Sequence, residues 1–384
     1  MRNVLSRIIN TFAGDMVLCI AVLLAIASSF IVYPDKEYLG YIDFRTICIL
    51  FSLMAVVAGL KCDGVFLKVA ETLLSKVTYM RTVVIILVLL CFFGSMLVTN
   101  DVALVTFVPL TVTVLNLLKK QQKNNWIVAI VILQTIGANL GSMFTPVGSP
   151  QNLYLYSQSG LSIGEFLWVT IPYVVISFTV IIAIIIVRSM IPGCNEKINV
   201  SFDADNIRSK KSTYVYCLLF LVSILAVAKI LPYSVTTVVV AGVIFIVDRK
   251  VLKDVDYTLL LTFVGFFIFI GNLQRIDAVS GLIYTIVTGR EVITAVISSQ
   301  FISNVPAAVL LSGFTDNYRS LIIGTNIGGL GTLIASMASL ISYKFIVREM
   351  PEIRGRYIKK FSIVNIYFIM VLLGFYYLCK FVIN

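Results

Sequence analysis

Chemistry in this chain is concentrated at a few polar positions that interrupt long apolar runs. Thr99, Asn100 and Asp101 stand between apolar Val83–Val98 and a second apolar run ending at Leu118. Ser303 and Asn304 stand between Val292–Phe301 and Val305–Leu311, with Pro306 at the break. A third interruption, Gly137–Asn152, reads GANLGSMFTPVGSPQN, and a near-echo, GTNIGGLGTLIASMAS, follows at Gly324–Ser339. Asparagine amides and Ser or Thr hydroxyls both donate and accept, so they suit either a bound anion or a cation. Unwound backbone adds carbonyl oxygens, hard ligands for a small cation, while the starts of half-helices offer free N–H groups and positive dipole ends to an anion. In Gly137–Asn152 the prolines stop the helix and the glycines let backbone approach a ligand closely. The bland alternative is that Gly, Ser and Thr only permit close helix packing.

Asp101 is the sharpest single residue. A carboxylate at membrane depth costs about 2.5–3.5 kcal/mol on insertion scales and is a functional candidate by default. It could bind Na⁺, carry a coupling proton or repel a competing anion. It could equally cap the helix that follows, accepting from backbone N–H groups. Pro146, Gly148, Ser149 and Asn152 join Thr99, Asn100, Asp101, Ser303, Asn304 and Thr332 as the candidate substrate site. Asn100, Asp101, Asn139, Gly141, Thr145, Asn304 and Asn326 are the candidate ion ligands. Asp15, Asp43 and Asp256 lie near helix ends and read as caps. Asn272 is a weaker candidate, Arg275 and Asp277 read as an interfacial pair, and Lys344–Lys360 reads as a solvated loop touching anionic lipid.

Residues like these need an apolar frame, and the composition supplies one. Of 384 residues 59% are hydrophobic and 13% charged, with a mean hydropathy of +1.00. Soluble domains run at roughly 45–50% apolar and about 25% charged. The chain is therefore a polytopic membrane protein, one membrane domain over 1–384. The net charge of +11 is topogenic, since the basic residues cluster between spans, and implies no nucleic-acid partner. Seven scattered cysteines form no CxxC pair. Without any histidine, zincin motifs, imidazole relays and His-based triads are excluded. The chain reads as a non-enzyme with no cofactor beyond a coupling ion.

Plain helices are expected at 13–33, 42–60, 166–187, 213–231, 234–248, 257–272 and 362–380, the first a retained span rather than a signal peptide. Segments 62–79 and 275–289 read as amphipathic and interfacial. The interrupted regions 83–118 and 292–311 read as re-entrant hairpins with short arms, and 126–156 and 320–343 as broken helices, because lipid cannot satisfy a free backbone. With Arg2 and Arg7 in the cytoplasm, about 23 of the 30 Lys and Arg fall on that side. Aligned without gaps, Gly137, Asn139, Gly141 and Thr145 match Gly324, Asn326, Gly328 and Thr332, and Asn100 matches Asn304. The expected fold is all-α: an inverted repeat with two re-entrant hairpins and two broken transmembrane helices. Repeat one spans 13–190, a loop and linking helix 191–231, and repeat two 232–384.

TNDVALVTFVPL at 99–110, GSMFTPVGSPQNLYLY at 141–156, SNVPAA at 303–308 and the run at 324–344 resemble the ion transporter superfamily. This group joins arsenite permeases, NhaD-type sodium/proton antiporters, citrate transporters and divalent-anion:sodium symporters. The resemblance implies a homodimer with a scaffold part and a mobile part in the cell (inner) membrane. Substrate and Na⁺ or H⁺ would sit between two opposed hairpin tips that slide like an elevator. Asp101 resembles the Asn-Asp of the arsenite-permease and NhaD branches rather than the Ser-Asn-Thr of the dicarboxylate carriers. The chemistry expected is transport of a small carboxylate or inorganic oxyanion. Cation/proton antiport or arsenite-type efflux is the alternative, and a passive channel stands behind both.

Overall fold

A computed structural model describes residues 16–75, 77–116, 120–192, 197 and 210–383. Arg2, Arg7, Asp15 and most of the 191–211 loop lie outside the described residues. The described chain is helical, with no strand among the described residues. The helices used below are α1 Met16–Ser29, α2 Phe44–Cys62, α3 Val65–Leu74, α4 Met80–Leu97, α5 Asn100–Asn116, α6 Lys120–Ser142, α7 Pro150–Ser159, α8 Ile163–Ser189 and α9 Lys210–Val227. They continue as α10 Tyr233–Asp248, α11 Tyr257–Gln274, α12 Asp277–Val287, α13 Glu291–Ile302, α14 Asn304–Ser312, α15 Tyr318–Gly328, α16 Met337–Glu349 and α17 Arg354–Ile383. Among the described residues six helices are long and apolar enough to cross a membrane, or up to seven if the bent pair α12–α13 counts as one span. The chain is a multi-pass membrane protein.

Asp43 and Asp256 cap α2 and α11 in the same way. Each sits at nearly the same backbone conformation (φ −77°, ψ 83° and φ −79°, ψ 83°) and accepts from the N–H three residues on. An N-cap carboxylate satisfies one of the four donors that every helix start leaves free. The start of α2 shares a cavity with the end of α11, and the end of α2 shares another with the start of α11. The two matching helices therefore run in opposite directions.

Each interrupted region folds back on itself. In a continuous helix Gly94 and Phe107 would stand about 20 Å apart. Here the Phe107 ring lies against Gly94, so α4 and α5 double back at Val98–Thr99. Helices α13 and α14 do the same around Ser303, whose φ of 71° is rare for a residue with a Cβ. The arms of the first pair are longer than the short arms expected, 18 and 17 residues, and α4 alone meets the length for a crossing.

The broken helices exchange their halves. In the first, α6 packs on α4 and α5, whereas its continuation α7 packs on α14 and α15. In the second, α15 packs on α13 and α14, whereas its continuation α16 packs on α5 and α6. Neither pair can be separated without uncovering the other. Around this knot α1 lies along α11, and α9 and α10 flank α2.

Three expectations change. Lys344–Lys360 is not a loop: α16, a short 3-10 turn at Pro351–Ile353 and α17 run through it. Ile346 on α16 and, four residues apart on α17, Tyr357 and Phe361 are fully buried, and those apolar anchors outweigh the basic residues around them. Arg275 pairs not with Asp277 but with Asp35, at 2.7 Å, and its guanidinium holds that carboxyl below the usual carboxylate range. Asp277 sits in the first turn of α12, where the helix dipole favours a carboxylate. The helix breaks are also narrower than Gly137–Asn152 and Gly324–Ser339, because the helices continue to Ser142 and Gly328 and resume at Pro150 and Met337.

Candidate functional site

The glycines inside those helices explain the narrowing. A Cβ at Gly141 would run into the Phe92 carbonyl and Ser95 Oγ, and one at Gly328 into Ala295 O and Ser299 Oγ. Gly137 lies over Val88 O and Gly324 over Val292 O. These are close-packing contacts between each broken helix and the first arm of its own hairpin. Gly141, a candidate ion ligand by sequence, is placed in such a contact, and its carbonyl accepts from Phe144 N–H. The two halves use the same register throughout. Thr145 Oγ1 donates to Met96 O at 2.5 Å, and Thr332 Oγ1 to Gln300 O at 3.2 Å. Gly148 N–H donates to Thr145 O, and Ala335 N–H to Thr332 O, both at 3.2 Å.

Between the halves lies a buried polar layer. Asn139 is its joint: its Oδ1 accepts from Asn100 Nδ2 at 2.9 Å and from Ser336 Oγ at 3.0 Å, while its Nδ2 reaches Gly329 O at 3.5 Å. One side chain on α6 thus touches the tip of the first hairpin and both ends of the second break. Its repeat partner Asn326 donates to Asn152 Oδ1 at 2.6 Å, and Asn152 in turn donates to Ser142 O. At the second tip, Asn304 N–H donates to Ala335 O at 2.9 Å, and Asn304 Nδ2 lies against Gly329. The starts of α5, α14 and α16 therefore meet in one layer. The start of α7, at Pro150, faces the same cavity as Thr99 and Asp101.

The layer has polar capacity to spare. Ser149 Oγ, Asn326 Oδ1, Ser339 Oγ and Asp101 Oδ1 are buried without a hydrogen-bond partner. An unmet buried polar group costs about 1–3 kcal/mol, so these four atoms, at the first tip and beside the breaks, are ones that a ligand or an ordered water would satisfy.

Asp101 borders a cavity of about 490 Å³ lined also by Thr99, Lys61, Cys62, Pro150, Asp254 and Asp256. The backbone N–H that follows the tip, that of Asp101 itself, is capped by Asn100 Oδ1 at 3.0 Å. Asn100 therefore does the capping that Asp101 was a candidate for. The opposite cavity, about 350 Å³, lies where α2 starts and α11 ends, beside Tyr154, Ser312 and Gly313. There Gln158 donates to Asp43 and Gln274 to Gly313 O, bonds that join α7 to the start of α2 and α11 to the end of α14.

Of the residues selected by sequence, Asn100, Asn139, Ser149, Asn152, Ser303, Asn304 and Asn326 lie buried in this layer, and Pro146 and Gly148 form the buried turn of the first break. Thr99 and Asp101 face the larger cavity. Thr332 is exposed, with its hydroxyl turned to Gln300. Asn272 is buried elsewhere and donates to Ser28 Oγ. Sequence reasoning missed Ser336 and Gln300; gapless alignment does put Ser336 opposite Ser149, but no motif marks Gln300.

The profile of the family described as "Citrate transporter" matches residues 5–317. An uncharacterized transporter of Methanocaldococcus jannaschii is 32% identical over 370 residues, which is 96% of this chain and 98% of that protein. The inner membrane protein YbiR of Escherichia coli is 28% identical over 340 residues, 88% of this chain and 89% of that protein. A 46 kDa membrane protein of Mycobacterium leprae is 26% identical over 375 residues, 87% of this chain and 85% of that protein.

Proposed function

This chain belongs to the citrate transporter family of membrane transporters, and from that premise we propose that it is an ion-coupled secondary active transporter of a small anion. The observation that carries this is the polar layer in which the starts of α5, α14 and α16 meet around Asn139. Helix starts present free N–H groups and positive dipole ends, worth about 0.3–1 kcal/mol each toward an anion. A carboxylate or inorganic oxyanion fits there, held by Asn100, Asn304, Ser149 and Asn152. A coupling cation, Na⁺ or H⁺, balances Asp101, since a carboxylate disfavours a second anion nearby unless it is neutralised.

The matched glycine and threonine contacts of the two halves, and the opposite run of α2 and α11, support an inverted repeat. In this reading α4–α5 and α13–α14 are re-entrant hairpins from opposite sides. The helices of the knot slide as an elevator against α1, α2, α9, α10 and α11, and the protein works as a homodimer in the cell (inner) membrane with its N-terminus inside. A second reading, cation/proton antiport, is favoured by the charge in the larger cavity, where Asp101, Asp254 and Asp256 face the single lysine Lys61.

Uptake into proteoliposomes under imposed Na⁺ and H⁺ gradients, screened over phosphate, sulfate, arsenite, citrate and C4-dicarboxylates, tests the proposal. We expect saturable, gradient-dependent anion uptake, lost in Asn100→Ala and in Asn304→Ala while both variants still insert in the membrane. Gradient-driven exchange of cations with no anion moved would select antiport instead. Unsaturable, gradient-independent flux would end the carrier reading.

A further inference from the structure

Gln300, in the last turn of α13, makes an unusual set of contacts for a side chain on a hairpin arm. Its Nε2 lies 3.0 Å from Val296 O, 3.1 Å from Gly328 O and 3.0 Å from Leu330 O. Its Oε1 accepts from Thr332 N–H at 2.9 Å. A carboxamide nitrogen carries two hydrogens, yet three carbonyl oxygens converge on it. Two of those oxygens belong to the end of α15 and the break after it. Free carbonyls at a helix break are the ligands by which secondary transporters hold a small cation, and a ring of carbonyl oxygens replaces its hydration shell. Nε2 occupies the centre of such a cage.

The first half has no such plug. The matching threonine bonds place Met96 opposite Gln300, and a thioether donates nothing to the carbonyls of Gly141 or Met143. The backbone has adapted to Gln300 as well. Gly331 sits at φ 107°, and a Cβ there would run into Gln300 Oε1, whereas the same alignment puts Phe144 opposite Gly331. Gln300 and Gly331 are thus a fitted pair present in one half only. At the same level, the second hairpin tip is tied to its break by Asn304 N–H and Ala335 O, so this half is already ordered without a ligand. The first tip carries the unpaired carboxylate of Asp101 instead.

We propose that the Gln300 carboxamide is a resident substitute for a coupling cation in the second half-site, so that the chain binds one small monovalent cation, in the first half, and not two. The inference rests on the ion-coupled reading above for the first site, but the cage itself does not. Its consequence is that removing the amide uncovers a cation site: the Gly328 and Leu330 carbonyls lose this donor and, beside Val296 O with its second lone pair, attract Na⁺ or K⁺.

The test is the thermal unfolding midpoint of the purified full-length protein titrated with Na⁺, Li⁺ and K⁺ against choline at constant ionic strength, for wild type, Gln300→Ala and Gln300→Met. A bound cation raises the midpoint by mass action. Well above the dissociation constant, the slope of the midpoint against the logarithm of cation concentration counts the cations released on unfolding, and we expect a coefficient of about 1 cation per chain in wild type, rising toward about 2 in the variants. Gln300→Met keeps the side-chain volume and serves where Gln300→Ala fails to fold. A wild-type coefficient of about 2, or cation dependence identical in wild type and folded variants, overturns the inference and leaves cation coupling standing. A wild type indifferent to every cation with variants that respond leaves the cage standing and removes Na⁺-type coupling. If neither responds, the three carbonyls are not a cation cage and the inference is wrong.

Discussion

Asn139 and Asp101 divide the work of the polar layer between them. Asn139 bonds Asn100 and Ser336, and its Nδ2 reaches the Gly329 carbonyl at 3.5 Å, so it ties the first tip to both ends of the second break. Asp101 has an oxygen with nothing to accept from and a cavity in front of it. A buried group left unsatisfied in this way is retained only where something else completes it. Asp101→Asn is therefore expected to leave the fold intact and to flatten the Na⁺ or pH dependence of transport, measured as uptake rate against cation concentration in proteoliposomes. An unchanged dependence would return Asp101 to a structural role. Asn100 accepts from Asp101 N–H at the start of α5 and donates to Asn139, which joins the first tip to the layer.

At the scale of elements, the glycines of α6 and α15 are what allow each broken helix to lie on its hairpin arm. The backbone of α4 comes so close to α6 that a methyl group at Gly141 meets the Phe92 carbonyl, and α13 comes equally close to α15 at Gly328. Backbone is the hardest neighbour to displace, and overpacking of this kind costs about 1–3 kcal/mol. Gly141→Ala and Gly328→Ala are each expected to lower the unfolding midpoint by several degrees and to lower transport with it. Gly242→Ala, on α10 with open space around it, is the control and is expected to hold or slightly raise the midpoint, since Ala favours a helix over Gly by about 0.5–1 kcal/mol, and to leave transport unchanged. Equal midpoints in all three would mean that the packing of arm on broken helix is looser than the contacts indicate.

For the whole molecule, the crossed packing of α7 on α14 and α15 and of α16 on α5 and α6 makes the two hairpins and both broken helices one body. Two cavities flank it at opposite ends of α2 and α11. The one that reaches Asp101 is bordered by Lys61 and Cys62, and Cys62 is exposed. The positive-inside orientation proposed above would make this the cytoplasmic mouth. In a background where Cys62 is the sole cysteine, a membrane-impermeant maleimide is expected to label it in inverted vesicles and not in intact cells, and the coupling ion or substrate is expected to slow the labelling. Labelling from the outside alone would reverse the orientation. At the other end, the Gln158–Asp43 and Gln274–Gly313 bonds hold the body against α2 and α11.

The chain's residue pattern was enough to identify a polytopic helical protein, because spanning lipid demands long apolar runs and leaves polar residues visible against them. It was also enough to find the two tips and two breaks, since Asn100-Asp101, Ser303-Asn304 and the Pro-Gly run at 146–150 have no place in a continuous span. The recurrence of Gly137, Asn139, Gly141 and Thr145 in order was legible for the same reason. What the sequence could not say is which glycines unwind the backbone and which only thin it, because both uses need the same missing Cβ. Gly141 and Gly328 turned out to be of the second kind. Nor could it show that Lys344–Lys360 is helical, since its buried face is defined by neighbours from distant segments. Tertiary structure alone decided the exchange of half-helices, the joint at Asn139 and the seat of Gln300. Each depends on bringing residues some thirty to two hundred positions apart within hydrogen-bond reach, as Gln300 to Leu330 and Asn139 to Ser336 show. Local pattern carries no information at that range.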